Sequence, residues 1–127
     1  MDRETRHTLA VTSRQNAGVT VVKMKGSLSA TTGEQGSEEM KKIVEGGAKK
    51  IVVNLADIDY ISSGGIRVLL MASKWLSDKQ GEMKISGAKG MVNDALQASG
   101  FGLLKRVYGS AIQLCQTDEE AIAAFKA

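Results

Sequence analysis

The feature that most constrains this chain is a buried-strand pattern that runs almost directly into a helix pattern. Residues 50–55 form a compact, β-branched apolar run, which is typical of a strand covered on both faces of a sheet. From Ile66 onward, apolar residues recur at helical spacing as far as Leu76. Between the two patterns stand Ser62, Ser63 and two glycines. A strand that passes to a helix through small residues exposes the helix N-terminus, where unpaired backbone N–H groups favour negative charge.

The patterns on either side of this junction alternate between strand and helix. Two apolar segments, 7–13 and 19–26, flank a turn signal at 16–18 and predict an antiparallel hairpin. Thr31 precedes Glu34 by three residues, the spacing of a capping box at the start of a helix. In chain order, the remaining expected elements are a helix ended by Gly46, a strand at 50–55, a helix at 66–79, a strand at 83–87, a helix at 91–98, a strand at 106–108 that Ile112 and Leu114 could extend, and a helix from 117.

This order of elements predicts an α/β fold. We expect a mostly parallel, mixed sheet of about four to five strands, with about four helices packed against it. The length of 127 residues suits one domain over 1–127 rather than two. Residues 1–6 are expected to form a flexible N-terminal tail.

Composition narrows the possible function classes. Cys115 is the single cysteine, so no intramolecular disulfide can form and a cytoplasmic location is expected. No apolar run approaches the roughly 20 residues that cross a bilayer, and the N-terminus has no apolar signal core. The net charge of +3 comes from scattered basic residues, and the five aromatic residues are not interleaved with them. Since single-stranded nucleic-acid sites combine basic grooves with stacking aromatics, we expect neither a nucleic-acid nor a membrane partner.

Few residues suit catalysis or metal binding. His7 is the single histidine and lies in the first predicted strand, so a serine or cysteine nucleophile would have one weak candidate base. Asp57 and Asp59 have no third ligand at a recognised metal-binding spacing, and we interpret them as turn residues before the helix. We expect no metal, no cofactor and no enzymatic activity. Two roles stay open for Ser62 and Ser63: one of them caps the helix, or one of them accepts a phosphoryl group, which a helix N-terminus favours.

Four segments of the chain resemble the STAS domain of anti-sigma factor antagonists. The segment 51–70 is similar to that family's central strand, switch loop and following helix, and it is the most specific of the four. The segment 21–28 is similar to the family's second strand, and 96–104 and 118–121 resemble later parts of the domain. Where the family has Gly-x-Leu-Asp after its second strand, this chain has Ser29 in place of the acid. The resemblance implies an α/β STAS-like fold.

The resemblance also implies a cytoplasmic bacterial module for transcription regulation and signalling, and not an enzyme. In that family, the domain binds a GHKL-type serine-kinase anti-sigma factor and thereby frees a sigma factor. The kinase phosphorylates a loop serine to end the interaction, and a PP2C-type phosphatase restores it. The partner-binding residues implied here are Asp59, Tyr60, Ile61, Ser62, Ser63, Gly64, Gly65 and Arg67. An alternative is a STAS scaffold or interaction module that works without phosphorylation in a larger signalling or transport assembly.

The family's usual loop, Asp-Ser-Ser-Gly-Leu, fits this chain in two registers. In the first, the final Gly-Leu aligns with Gly65 and Ile66, which keeps the helix in register. Gly64 then takes the place of the usual acceptor, after Ser63 at the first serine and Ser62 at the aspartate. In the second, the serine pairs align, Ser63 becomes the acceptor and the helix is displaced by one residue. The resemblance therefore implies phosphorylation at Ser63, with Ser62 as the second candidate, or a site that is not phosphorylated.

Overall fold

A five-stranded mixed sheet organises the structure, a computed structural model that describes residues 8–100 and 112–125. The described residues form, in chain order, β1 (Leu9–Asn16), β2 (Val19–Leu28), α1 (Gly33–Glu45), β3 (Lys50–Ile61), α2 (Ser63–Asp78), β4 (Glu82–Ser86), α3 (Gly90–Ala98), β5 (Gln113–Cys115) and α4 (Asp118–Ala124). The predicted α/β class is confirmed. The expected tail at 1–6 and the expected strand at 106–108 lie outside the described residues.

The strands lie side by side in the order in which they occur in the chain. β1 is antiparallel to β2, and the three later strand pairs are parallel. The expected hairpin is confirmed: Asn16 pairs with Val19, and the two turn residues, Ala17 and Gly18, have positive φ angles of 56° and 83°. Positive φ at both positions gives the turn whose twist matches that of paired strands. Each parallel connection passes through a helix, as crossover connections in a parallel sheet usually do.

β3 lies at the centre of the sheet and extends further than the sequence pattern indicates. Its first half pairs with β4, and the side chains of 51–53 are buried. The strand then continues along β2 as far as Ile61, through two register shifts in the pairing. Asp57 and Asp59 therefore lie within a strand, and their interpretation as turn residues is wrong. The reason is that β2 supplies hydrogen-bonding partners over this second half, a non-local contact that a local pattern does not reveal.

Helices cover both faces of the sheet. The larger core cluster packs α1, α2 and α3 against one face, with Met40, Leu69 and Leu96 among its fully buried side chains. A smaller cluster packs α4 against the other face, around Cys115 and Ile122. A central strand that is covered on both sides agrees with the apolar run of β3. No helix in the described parts of the chain is both long and apolar enough to cross a membrane.

The connection between β2 and α1 differs from the predicted capping box. α1 begins at Gly33 with Thr32 as its N-cap residue, but the Thr32 side chain does not cap the helix. Its Oγ1 donates to the Ser27 carbonyl at 2.8 Å and accepts from the Ser29 N–H at 3.0 Å. The prediction of a capping box at Thr31 is therefore wrong. The helix begins one residue later, and the Thr32 hydroxyl bonds to the backbone of the β2–α1 connection instead of capping α1.

Leu69 provides a test of the larger core, because its side chain is 0% exposed between α2 and the sheet. We expect Leu69→Ala to lower the free energy of unfolding by about 2–5 kcal/mol, through lost apolar burial and the cavity left behind. The matched variant Met71→Ala, at a half-exposed position of the same helix, should lower it by less than about 1 kcal/mol. Urea unfolding followed by circular dichroism measures both. Equal losses in the two variants would contradict this assignment of the buried face.

Candidate functional site

A single residue, Ser62, separates β3 from α2. Its backbone is extended (φ −110°, ψ 177°), and its Oγ accepts a hydrogen bond from the Gly65 N–H at 3.4 Å. The Ser62 N–H donates to the Leu28 carbonyl at 3.1 Å, and the Ser62 carbonyl accepts from the Ile66 N–H at 2.9 Å. Ser62 is therefore the N-cap of α2, and its hydroxyl is engaged with the helix that it begins.

Ser63 is the first residue of α2, and it is exposed. Its hydroxyl makes no hydrogen bond to any residue of 8–100 or 112–125. The first turn of α2 contains no acidic residue, so no carboxylate within that turn offsets its unpaired N–H groups. Two neighbouring serines of identical chemistry thus have different surroundings: Ser62 stabilises the helix, and Ser63 presents its hydroxyl to solvent.

The two glycines after Ser63 have no side chains, which lets the end of β2 and the β2–α1 connection pack directly against the backbone at the start of α2. A Cβ on Gly65 would lie 2.0 Å from the Leu28 carbonyl oxygen. A Cβ on Gly64 would lie 2.9 Å from both the N and the Cα atom of Ala30. Because real Cβ atoms essentially never approach other atoms so closely, a larger residue at position 64 requires Ala30 to move. Position 64 is therefore closed to a side chain. In the alignment that keeps the helix in register, it is the position of the family's usual phosphoacceptor.

The connection that packs on Gly64 brings no negative charge to the start of α2. Ser29, which stands where the STAS pattern has an aspartate, is 8% exposed. Its hydroxyl has no hydrogen-bonding partner among the residues that the structure describes. The connection is held instead by the two hydrogen bonds of the Thr32 hydroxyl. Backbone packing, and not a buried charge, therefore shapes this side of the site.

The structure divides the predicted partner-binding residues into an exposed and a supporting group. The exposed group, called the switch surface below, consists of Asp59, Tyr60, Ser63 and Arg67. The supporting group, which is buried or half-buried, consists of Ile61, Ser62, Gly64 and Gly65. Tyr60 is 46% exposed, whereas Ile61 belongs to the larger core cluster. The exposed group is available to a partner, and the supporting group fixes its position.

Sequence patterns do not indicate the groove that lies beside the second half of β3. This groove, of about 450 Å³, is lined by 56–59, Lys89, Met91 and Val92. Met91 is 73% exposed, although a methionine next to an apolar helix stripe is typical of a core residue. No local signal distinguishes it from a core methionine, because its exposure depends on how α3 sits against β3.

A polar cluster on the α4 side of the sheet has a structural role. The Asp118 carboxylate accepts hydrogen bonds from the Asn54 side-chain amide at 3.0 Å and from the Ser86 hydroxyl at 2.5 Å. It also forms an ion pair with Arg14 at 3.2 Å. These contacts join the start of α4 to strands β1, β3 and β4. The Asp118 carboxylate is thus occupied by partners from three strands.

Cys115, the single cysteine of the sequence, is a free thiol that is 7% exposed. Burial raises the pKa of its thiol; the Glu120 carboxylate raises this pKa further, and the Lys84 ammonium lowers it in part. A raised pKa keeps the thiol protonated near neutral pH, which makes it a poor nucleophile. Within 8–100 and 112–125, no three histidine, cysteine or acidic side chains are grouped so that they could hold a metal ion.

Comparisons with known proteins agree with this fold. Residues 10–112 match the STAS domain family, so the chain belongs to that family, in its anti-sigma factor antagonist group. The chain is 32% identical over 109 residues to the putative anti-sigma factor antagonist BtrV of Bordetella bronchiseptica, a match that covers 86% of this chain and 88% of that protein. The resemblance inferred from the sequence is therefore confirmed.

Solved structures show the same fold. An anti-sigma factor antagonist from Mycobacterium paratuberculosis superposes with a TM-score of 0.81 at 18% sequence identity, covering 95% of this chain and 97% of that one. The Bacillus cell fate determinant SpoIIAA in its phosphorylated form superposes with a TM-score of 0.65 at 20% identity, covering 91% and 99% of the two chains. The mixed sheet with helices on both faces is thus the STAS fold.

The different roles of the two serines can be tested by removing each hydroxyl in turn. We expect Ser62→Ala to lower the free energy of unfolding by about 0.5–1 kcal/mol, because the cap of α2 is lost. Ser63→Ala, which removes an exposed hydroxyl without a partner, should change it by less than about 0.5 kcal/mol. Urea denaturation of both variants is the measurement. A larger loss for Ser63→Ala than for Ser62→Ala would show that the cap is misassigned.

The closed position 64 can be tested by introducing the residue that the family pattern has there. We expect Gly64→Ser to lower the free energy of unfolding by about 1–3 kcal/mol, because the new side chain must displace the Ala30 backbone. Gly64→Ala should cost about as much, since the Cβ atom itself makes the contact. Ser63→Ala serves as the matched control at the adjacent exposed position. If the Gly64→Ser protein is as stable as wild type, the β2–α1 connection at Ala30 can move away without cost, and the close contact at Gly64 does not constrain the site.

Proposed function

We propose that this chain is an anti-sigma factor antagonist that binds a GHKL-type serine-kinase anti-sigma factor through the switch surface. Binding would occupy the anti-sigma factor and release its sigma factor for transcription, in the bacterial cytoplasm. Membership of the STAS family and the description of BtrV support this function. The exposed Tyr60 and Arg67 add support, because tyrosine and arginine are enriched among the residues that dominate binding energy in protein interfaces.

The observation that carries the proposal is the exposed Ser63 hydroxyl at the first position of α2. Ser62 is engaged as the helix cap, and Gly64 has no room for a side chain beside Ala30. Ser63 is therefore the proposed phosphoacceptor. The kinase would transfer the γ-phosphoryl group of ATP to the Ser63 oxygen, with loss of the hydroxyl proton and release of ADP. A helix N-terminus favours such an anion, so the folded domain tolerates the modification.

Phosphorylation would end the interaction through charge. A phosphoryl group adds about −1.5 to −2 charges near neutral pH. A partner that binds the switch surface would have to desolvate this phosphate. A buried charge without a partner is costly, so the complex with the kinase would dissociate. A PP2C-type phosphatase would hydrolyse the phosphoserine and restore binding. The phosphorylated form of SpoIIAA, a protein of the same fold, supports a modification of this kind.

The binding model predicts opposite results for two substitutions of the same residue. We expect Ser63→Asp to weaken binding to the kinase at least about tenfold, because like charges and uncompensated carboxylates are unfavourable in an interface. Ser63→Ala, the matched control, should bind like wild type. Isothermal titration calorimetry against each GHKL-type serine kinase of the same bacterium measures both. Equal binding of wild type and Ser63→Asp to every kinase that binds would rule out a charge switch at this residue.

The unphosphorylated scaffold is the second candidate function, favoured by Gly64 at the usual acceptor position and by Ser29 in place of an acid. Intact-mass spectrometry after incubation with the kinase and ATP separates the two candidates. Phosphorylation at Ser63 adds one phosphoryl group, about 80 Da, to wild type and to Ser62→Ala, but not to Ser63→Ala. An unchanged wild-type mass would instead support a STAS interaction module in a larger assembly.

A further inference from the structure

Ser63 and Arg67 lie one helical turn apart on the exposed side of α2. Side chains four residues apart in a helix are neighbours, with about 5–6 Å between their Cβ atoms. Helical side chains also lean toward the helix N-terminus, so we expect the Arg67 side chain to extend over the turn that contains Ser63. An acidic group placed N-terminal to a basic one at this spacing is the more favourable orientation of such a pair.

The two segments that meet at this end of the sheet, 25–34 and 57–67, contain two basic residues, Lys25 and Arg67. Lys25 pairs across the sheet with Asp57, and Arg67 is the basic residue on the same helix as Ser63, one turn away. The acidic residues there are Glu34, Asp57 and Asp59. Asp57 forms an ion pair with Lys23 at 3.1 Å, whereas Arg67 forms no ion pair with any described residue. Its guanidinium is therefore available to a new anion nearby.

We propose that Arg67 binds the phosphoryl group of phosphorylated Ser63 within the same helix, so that its guanidinium is no longer available to the partner. This proposal rests on the proposed function, in which Ser63 is the phosphoacceptor. A guanidinium presents paired N–H donors that match two phosphate oxygens, and such charge-assisted pairs are the stronger kind of hydrogen bond. The unpaired N–H groups at the start of α2 also favour the negative charge of this phosphate.

The pair gives phosphorylation a second effect on the partner. In the unmodified chain, the Arg67 guanidinium is exposed and can meet an acidic group of the kinase. In the phosphorylated chain, the same guanidinium is held by the phosphate on its own helix. The modification then removes an attractive contact and also adds a repulsive charge. Arg67 is thus a positioning residue for the switch, since it acts through the phosphate.

The experiment uses the full chain with phosphoserine incorporated at position 63 during translation, so that no kinase is needed. Phosphorus NMR follows the second ionisation of this phosphoserine, whose ordinary pKa is about 6. We expect Arg67→Gln to raise this pKa by roughly half a pH unit relative to the phosphoserine protein that keeps Arg67. The reason is that the guanidinium, which favours the doubly charged phosphate, is absent from the variant. Arg67→Lys, which keeps the charge, should raise it by less.

Lys74→Gln is the matched control, because Lys74 lies two turns further along α2 and pairs with Asp78 at 3.8 Å. It should leave the phosphoserine titration unchanged. The proposal is overturned if Arg67→Gln leaves the titration at its wild-type position, or if Lys74→Gln shifts it as much as Arg67→Gln does. Neither outcome bears on whether a kinase modifies the chain, which the mass measurement decides independently. Circular dichroism of each variant confirms that α2 is intact.

Discussion

The close approach between the Leu28 carbonyl and Gly65 is the constraint on which the site depends. The Leu28 oxygen accepts the Ser62 N–H at 3.1 Å, and the same atom leaves no space for a Cβ at position 65. This contact joins the end of β2 to the end of β3, and it fixes where the strand stops and α2 begins. Because the N-cap follows from that boundary, the position of the exposed hydroxyl at Ser63 does as well. Backbone geometry thus sets the boundary between β3 and α2, and the Thr32 and Ser62 hydroxyls hold the segments on either side of it.

Local sequence patterns were sufficient for the order of elements in the described residues, because apolar periodicity and turn residues act over a few positions. The hairpin at 16–18 is one example, since small turn residues there permit the positive φ angles that the turn needs. Local patterns failed for the second half of β3, which pairs with a strand more than 30 residues earlier in the chain. They failed again at Thr31, where a capping spacing exists but the Thr32 hydroxyl bonds to the backbone of Ser27 and Ser29 in the connection before the helix. In β3, a contact between distant segments decides the structure; at Thr32, a local hydrogen bond from side chain to backbone competes with the helix cap.

The candidate site was partly visible in the sequence. Adjacent hydroxyls between a strand pattern and a helix pattern were enough to locate it, but not to assign the roles of Ser62 and Ser63. That assignment depends on the last residue of β3, which β2 determines. The lack of space for a side chain at Gly64 could not be predicted for the same reason, since the residue that fills this space, Ala30, lies more than 30 positions away in sequence. The exposure of Met91 follows from the placement of α3, which no pattern within that helix encodes.

Under the proposed function, the hydrogen bond from Gly65 to the Ser62 hydroxyl affects when the chain becomes a substrate of the kinase. In an unfolded chain, or in a short peptide with the same residues, the two serines are equivalent nucleophiles. Folding makes them unequal, because one is committed to the helix and the other is left in water. In that proposal, selectivity between the two serines resides in the folded structure and not in the local sequence. Under the proposed function, a newly made chain acquires a defined target once β2 and β3 have paired, so that modification reports on completed folding.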